Sequence, residues 1–119
     1  MKKNIYTKGE LNCAETIIAE YNKNNNTKIP VSLGSGLGSG LTCGSICGAI
    51  NAAAIIIGFE KGRNSKEEVN NARILVNELL KDCKTQYGSE ICIDLKNKKI
   101  SCEEIVDFAY NRMVDILKK

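Results

Sequence analysis

The sequence predicts an all-α fold, a small bundle of four to five helices around a central, buried Gly/Ala-rich helix. Three observations predict it. Apolar residues recur at three- and four-residue steps along most of the 119-residue chain. Two Ser-x-x-Glu capping boxes, Ser65/Glu68 and Ser101/Glu104, each precede an apolar stripe. No segment alternates apolar and polar residues as a strand would, and Pro30 is the only proline.

Taken in order, Leu11, Ala14, Ile18 and Tyr21 predict an amphipathic helix over roughly 10–22. The run Asn22–Lys28 reads as a polar loop. Glycines at 34, 36, 38 and 40 follow, without a G-x-x-x-x-G-K-[ST] sequence or a preceding strand, so a phosphate-cradling loop is disfavoured. Gly36, Gly40, Gly44, Gly48 and Ala52 fall four apart, and on a helix they would form a side-chain-free ridge for close packing. Each glycine in a helix costs about 1 kcal/mol relative to Ala, so such a ridge needs a reason. Ile46–Phe59 is apolar on all faces but too short to span a bilayer, and reads as a buried helix. Residues 60–64 make a polar turn, and the Ser65/Glu68 box predicts the next helix start. Its stripe is Val69, Ala72, Leu75, Val76, Leu79, Leu80, Cys83 and Tyr87, and Gly88 stops it. Ser101 starts the last helix, whose stripe is Ile105, Val106, Ala109, Met113, Ile116 and Leu117. The length fits one domain, residues 1–119.

Composition narrows the function. Hydrophobic residues make up 43% and charged residues 26%, as in an ordinary globular protein. The net charge of +3 and the absence of Trp argue against nucleic-acid binding, and Lys96, Lys98 and Lys99 read as a solvated loop. With no histidine, Ser-His-Asp and Cys-His catalytic pairs and imidazole-ligated zinc are excluded. The N-terminus has no apolar signal-peptide core, and a cytoplasmic location is expected. The many Asn, Lys and Ile residues read as a compositional bias and carry little functional weight.

Six cysteines stand out, because structural disulfides are rare in a reducing cytosol and clustered thiols there point to redox or metal chemistry. Cys43 and Cys47 are four apart and would share a helical face, with Thr42 as a candidate N-cap. Cys43 would then lie where the helix dipole favours thiolate. Cys102 follows the N-cap Ser101, so it is the first helical residue, a setting that lowers a thiol pKa; its place on the stripe predicts that it points inward. Cys92 lies in a short segment upstream, close enough to Cys102 for a loop to join them cheaply. Cys13 sits one turn before Ile17, and Cys83 reads as a core residue. No CxxC occurs, so thioredoxin and zinc-knuckle spacings are absent.

Several of these segments together resemble the redox-active family named for its C_GCAxxG_C_C cysteine pattern. They are Asn12-Cys13-Ala14, Cys47-Gly48-Ala49 after the Gly-rich stretch, Tyr87-Gly88-Ser89-Glu90-Ile91-Cys92, and Cys102-Glu103-Glu104-Ile105-Val106. The chain departs from the pattern where Ala52 replaces a glycine and where Cys43 and Cys83 are extra thiols. The resemblance implies an all-helical fold and a role for Cys13, Cys47, Cys92 and Cys102.

The expected function is thiol–disulfide or electron-transfer chemistry, in which a low-pKa Cys47 or Cys102 attacks and a second cysteine resolves. Cys43 is a further candidate, as a local exchange partner for Cys47. One alternative is a thiolate-ligated Zn or Fe–S module held by Cys13, Cys47, Cys92 and Cys102. Another is a small helical interaction protein with structural cysteines, its glycine ridge serving a homodimer contact. No membrane association is expected.

Overall fold

The structure, a computed structural model, describes residues 2–118. Five α-helices follow one another: α1 (Cys13–Asn25), α2 (Gly48–Lys61), α3 (Asn71–Tyr87), α4 (Cys92–Asn97) and α5 (Cys102–Leu117). A 3-10 turn, Val31–Gly34, and a π-type turn, Gly40–Gly44, lie between α1 and α2. Among the described residues the only strand-like pairing is an isolated antiparallel bridge, Ile46 to Ile91. No helix there is long and apolar enough to cross a membrane.

The first helix starts later than its apolar repeat suggests. Asn12 is the N-cap: its Oδ1 accepts from Glu15 N–H (2.8 Å), and Glu15 Oε1 accepts from Asn12 N–H (2.9 Å). This closes a capping box and leaves Leu11 outside, 42% exposed. Asn12 Nδ2 also donates to Gly34 O (3.2 Å) and Ser35 O (3.3 Å), tying the 3-10 turn to the start of α1. The helix runs on through Asn25, part of the expected polar loop, and ends at Asn26 in the left-handed region.

The glycine ridge does not form, because residues 34–47 are not one helix. Ser39, Gly40, Leu41 and Thr42 are consecutive left-handed residues, which no right-handed helix accommodates. Thr42 therefore caps nothing, and Cys43 (φ −130°) lies in the turn rather than on a helical face with Cys47. α2 begins only at Gly48, with Cys47 in the N-cap position. Close packing is nevertheless present at single glycines. A Cβ on Gly34 would stand 2.7 Å from Glu15 N, and one on Gly48 would stand 2.5 Å from Leu37 O, whereas Gly36 has open space around it.

α2 packs against α1, α3 and α5. It is not apolar-buried throughout: Ala49, Ala52, Ala53, Ile56 and Ile57 are fully buried, but Phe59 is 57% exposed. Ser65 and Glu68 do interact, yet they close a turn. The Glu68 carboxylate accepts from Asn64 N–H (3.1 Å) and Ser65 Oγ (3.2 Å), so its acceptors are used before any helix begins. Asn70 caps α3 by accepting from Arg73 N–H (3.2 Å), and Val69, left outside, is 72% exposed.

Gly88 ends α3 as expected, with φ +80°. Ser101 caps α5 by accepting from Glu104 N–H (3.1 Å). The stripe of α5 buries Ile105, Val106, Ala109, Tyr110, Met113 and Ile116 against one core that includes Ile17, Ile18, Ile50, Ile57, Leu79 and Cys83. On the surface, Arg112 donates to Asp82 Oδ2 from Nε (3.0 Å) and Nη2 (2.5 Å), joining α5 to α3. Both groups are about a third exposed, so the pair contributes at most about 1 kcal/mol.

Candidate functional site

Four helices begin around one cavity, and each brings a cysteine. Cys13, Cys92 and Cys102 are the first residues of α1, α4 and α5, and Cys47 is the N-cap of α2. All four line a cavity of about 90 Å³, together with Tyr6, Asn12, Ser39, Gly48, Leu95, Lys96, Ile100 and Ile105. The thiols differ in depth: Cys102 is exposed, Cys13 is intermediate, and Cys92 and Cys47 are buried at 8% and 4% exposure. The inward placement expected for Cys102 is thus corrected. As the first residue of α5 it stands at the rim and borders the cavity from the solvent side.

Local sequence explains each placement. Gly48 lets the Cys13 thiol approach α2, since a Cβ there would stand 2.7 Å from Cys13 Sγ. Gly40 does the same for Cys92: a Cβ would lie 2.6 Å from Cys92 Cβ and 2.5 Å from Ser45 O. The bridge between Ile46 and Ile91 carries Cys47 and Cys92 on its two strands, with Cys47 N–H donating to Glu90 O (2.9 Å) and Cys92 N–H to Ser45 O (2.6 Å). Upstream of Cys92, Tyr87 stacks edge-on against Phe108 (5.2 Å between centroids), and Gly88 turns the chain. Buried Ser89 then accepts from Ile91 N–H (3.0 Å) and donates to Asp94 (3.0 Å), which fixes the entry to α4.

Burial decides the state of the deep thiols. The N–H groups of Ile50 and Ala49 at the start of α2 favour the Cys47 thiolate, and a helix N-terminus favours an anion by about 0.3–1 kcal/mol. Removal from water outweighs both, and the nearby Cys13 and Cys92 add to it, so its pKa is pushed up to about 12. The expectation of a low-pKa Cys47 is overturned. Cys13 is raised chiefly by burial and also by Cys102 and Cys92, against the N–H groups of Ser39 and Ala14, which favour its thiolate. Tyr6 is raised by burial first, then by its neighbours Cys102 and Cys13.

The other two cysteines stand apart. Cys43 is exposed, does not line the cavity, and lies 3.7 Å from Gly40 O through its Sγ. Cys83 is fully buried, 3.4 Å from Ser89 O, and burial raises its pKa to about 11. Among the described residues, no three Cys, Asp or Glu side chains stand in an arrangement able to hold a metal ion. Sequence reasoning missed Tyr6, Asn12, Ser39 and Lys96 as cavity walls. Asn12 carried a usable signal, the Asn-x-x-Glu capping pattern, whereas the stretch around Tyr6 has no periodicity to read.

The fold is thus helical, and four thiols share the wall of one cavity. Residues 11–116 match the model of the C_GCAxxG_C_C family, described as "Putative redox-active protein (C_GCAxxG_C_C)", and the chain belongs to that family. No curated protein and no solved structure matches the chain.

Proposed function

We propose that the chain performs thiol–disulfide exchange at this cavity, with Cys102 as the first thiol and Cys13 as the second. The observation that supports this reading is the convergence of four cysteines, from four separate helix starts, on one small cavity. Cys102 is the only exposed member of the four, so it is the one a substrate disulfide meets first. Cys13 is its neighbour on the cavity wall, close enough for charge on Cys102 to raise the Cys13 pKa. Cys102 thiolate attacks one sulfur of the substrate disulfide and expels the first substrate thiol. Cys13 then attacks Cys102 Sγ, forms the Cys13–Cys102 disulfide and releases the second thiol. Two protein thiols are oxidised as one substrate disulfide becomes two thiols. Such a cycle suits a reducing compartment such as the cytoplasm, where the dithiol is regenerated.

The test is equilibration with glutathione buffers of graded potential, followed by alkylation and peptide mass mapping. The expected result is a reversible Cys13–Cys102 disulfide, with a Cys102–glutathione adduct accumulating in Cys13→Ser. Absence of a disulfide among the cavity cysteines at every potential would overturn the reading.

A thiolate–metal module is the second reading, favoured by a wall with four thiols and no carboxylate. The geometry among the described residues does not fit it as it stands, for want of three ligands in a holding arrangement. Native mass spectrometry of anaerobically purified protein separates the two: a discrete metal or cluster increment would favour the module.

A further inference from the structure

The described residues before α1 form no helix, yet two side chains of α5 hold their backbone. Lys2 N–H donates to Asn111 Oδ1 (2.8 Å), and Asn111 Nδ2 donates back to Lys2 O (2.7 Å). Asn4 N–H donates to Asp107 Oδ2 (3.1 Å) and Ile5 N–H to Asp107 Oδ1 (3.3 Å). Asp107 and Asn111 are one helical turn apart, and Asn111 Nδ2 also donates to Asp107 O (2.8 Å), which fixes the amide's direction. Ile5 packs against the core. The next residue is Tyr6, laid into the cavity wall with Cys13 and Cys102. All of residues 2–6 precede the part of the chain that matches the family model, 11–116.

An aromatic ring on a segment held in this way has a fixed place in the cavity wall. Tyr6 and Cys13 share the wall of this small cavity, so the ring takes up room beside that thiol. Cys102 lies at the exposed rim, outside that restriction, while Cys13 is only partly accessible. Tyr6 feels both thiols electrostatically, which places its phenol near the pair.

We propose that residues 2–6 are a strap latched by Asp107 and Asn111, and that Tyr6 is a specificity-determining residue: its ring keeps bulky disulfides from Cys13 while leaving Cys102 open to them. The biological meaning of this selection rests on the thiol-exchange reading above. Bulky disulfide substrates must then enter at Cys102, and Cys13 meets them only as the mixed disulfide resolves. Small reagents reach Cys13 directly.

The test compares two neutral thiol reagents, methyl methanethiosulfonate as the small one and dithiodipyridine as the bulky one. They are applied to reduced protein in a Cys102→Ser background, and labelling at each cysteine is followed by peptide mass mapping. The expected bulky-to-small rate ratio at Cys13 rises about tenfold in Tyr6→Ala, as opening of the strap removes the obstruction. It rises in the same direction in Asp107→Ala, which alters no cavity wall, and keeps its original value in Tyr6→Phe. Exposed Cys43 reports intrinsic reagent reactivity, and fully buried Cys83 reports unfolding. Should Tyr6→Ala label Cys83, the Asp107→Ala variant decides. An unchanged ratio in the folded variants would overturn the proposal, as would a Tyr6→Phe ratio equal to that of Tyr6→Ala. Because the ratio is read in reduced protein, it stands or falls independently of whether a Cys13–Cys102 disulfide forms.

Discussion

Cys47 sits where two opposing effects can be compared in size. A helix end and two backbone N–H groups favour its thiolate, the former by at most about 2 kcal/mol in a partly buried site. Desolvation of a buried group reaches several pKa units and prevails, taking Cys47 to about 12 and Cys83 to about 11 from an ordinary value of 9.0. The fold therefore holds both protons more tightly than the unfolded chain does. The resulting stabilisation is intact below pH 9 and is lost as the pH rises towards 12. For Cys47 a three-unit rise corresponds to an upper limit of about 4 kcal/mol. Tyr87, raised to about 12 from 10.0, mainly by burial and also by Glu104, contributes to the same alkaline limb. Urea denaturation at steps from pH 8 to 11 should thus show a shallower loss of stability in Cys47→Ala than in the unsubstituted protein. Parallel curves would mean that Cys47 titrates in the fold as it does in the unfolded chain.

At the scale of elements, the long stripes of α3 and α5, the stop of α3 at Gly88 and the start of α5 at Ser101 are legible, because a buried face imposes its period on the sequence. The caps at Asn12 and Asn70 and the left-handed end at Asn26 are not. Asparagine is so frequent here that its abundance masks its local signal, although its side chain is among the best N-caps and tolerates αL. The stretch from Gly34 to Cys47 misled for a different reason. A four-residue glycine spacing suggests a helical ridge, but consecutive left-handed residues at Ser39–Thr42 break it, and no repeat encodes them. The glycines then act singly, which a pair of substitutions separates. Gly48→Ala forces a Cβ to within 2.5 Å of Leu37 O and 2.7 Å of Cys13 Sγ. It should cost about 1–3 kcal/mol, the range for overpacking. Gly36→Ala meets nothing within 4 Å and should stay within about 0.5 kcal/mol of the unsubstituted protein. Equal effects in thermal denaturation would restore the ridge and sink the account of isolated contacts.

Across the whole molecule, the order and local context of Cys13, Cys47, Cys92 and Cys102 can be read from the sequence, but their meeting point cannot, since it depends on how α1, α2, α4 and α5 are brought together. That arrangement has a mechanical consequence for the proposed chemistry. A Cys13–Cys102 disulfide joins the start of α1 to the start of α5 and closes a loop of about 90 residues, worth about 4–5 kcal/mol in the chain-entropy model. A Cys92–Cys102 bond would close only about 11 residues and stabilise by about 3 kcal/mol. Typical domains have about 5–15 kcal/mol in total, so oxidation through the long loop should move the unfolding midpoint far more than any surface contact. Guanidinium denaturation of the oxidised and reduced protein should therefore differ by the larger amount. In Cys102→Ser the two conditions should coincide. A difference near the smaller value that also vanishes in Cys92→Ser would reassign the resolving thiol to Cys92. No difference at all would mean that the cavity cysteines do not store the oxidising equivalents as a stable internal disulfide.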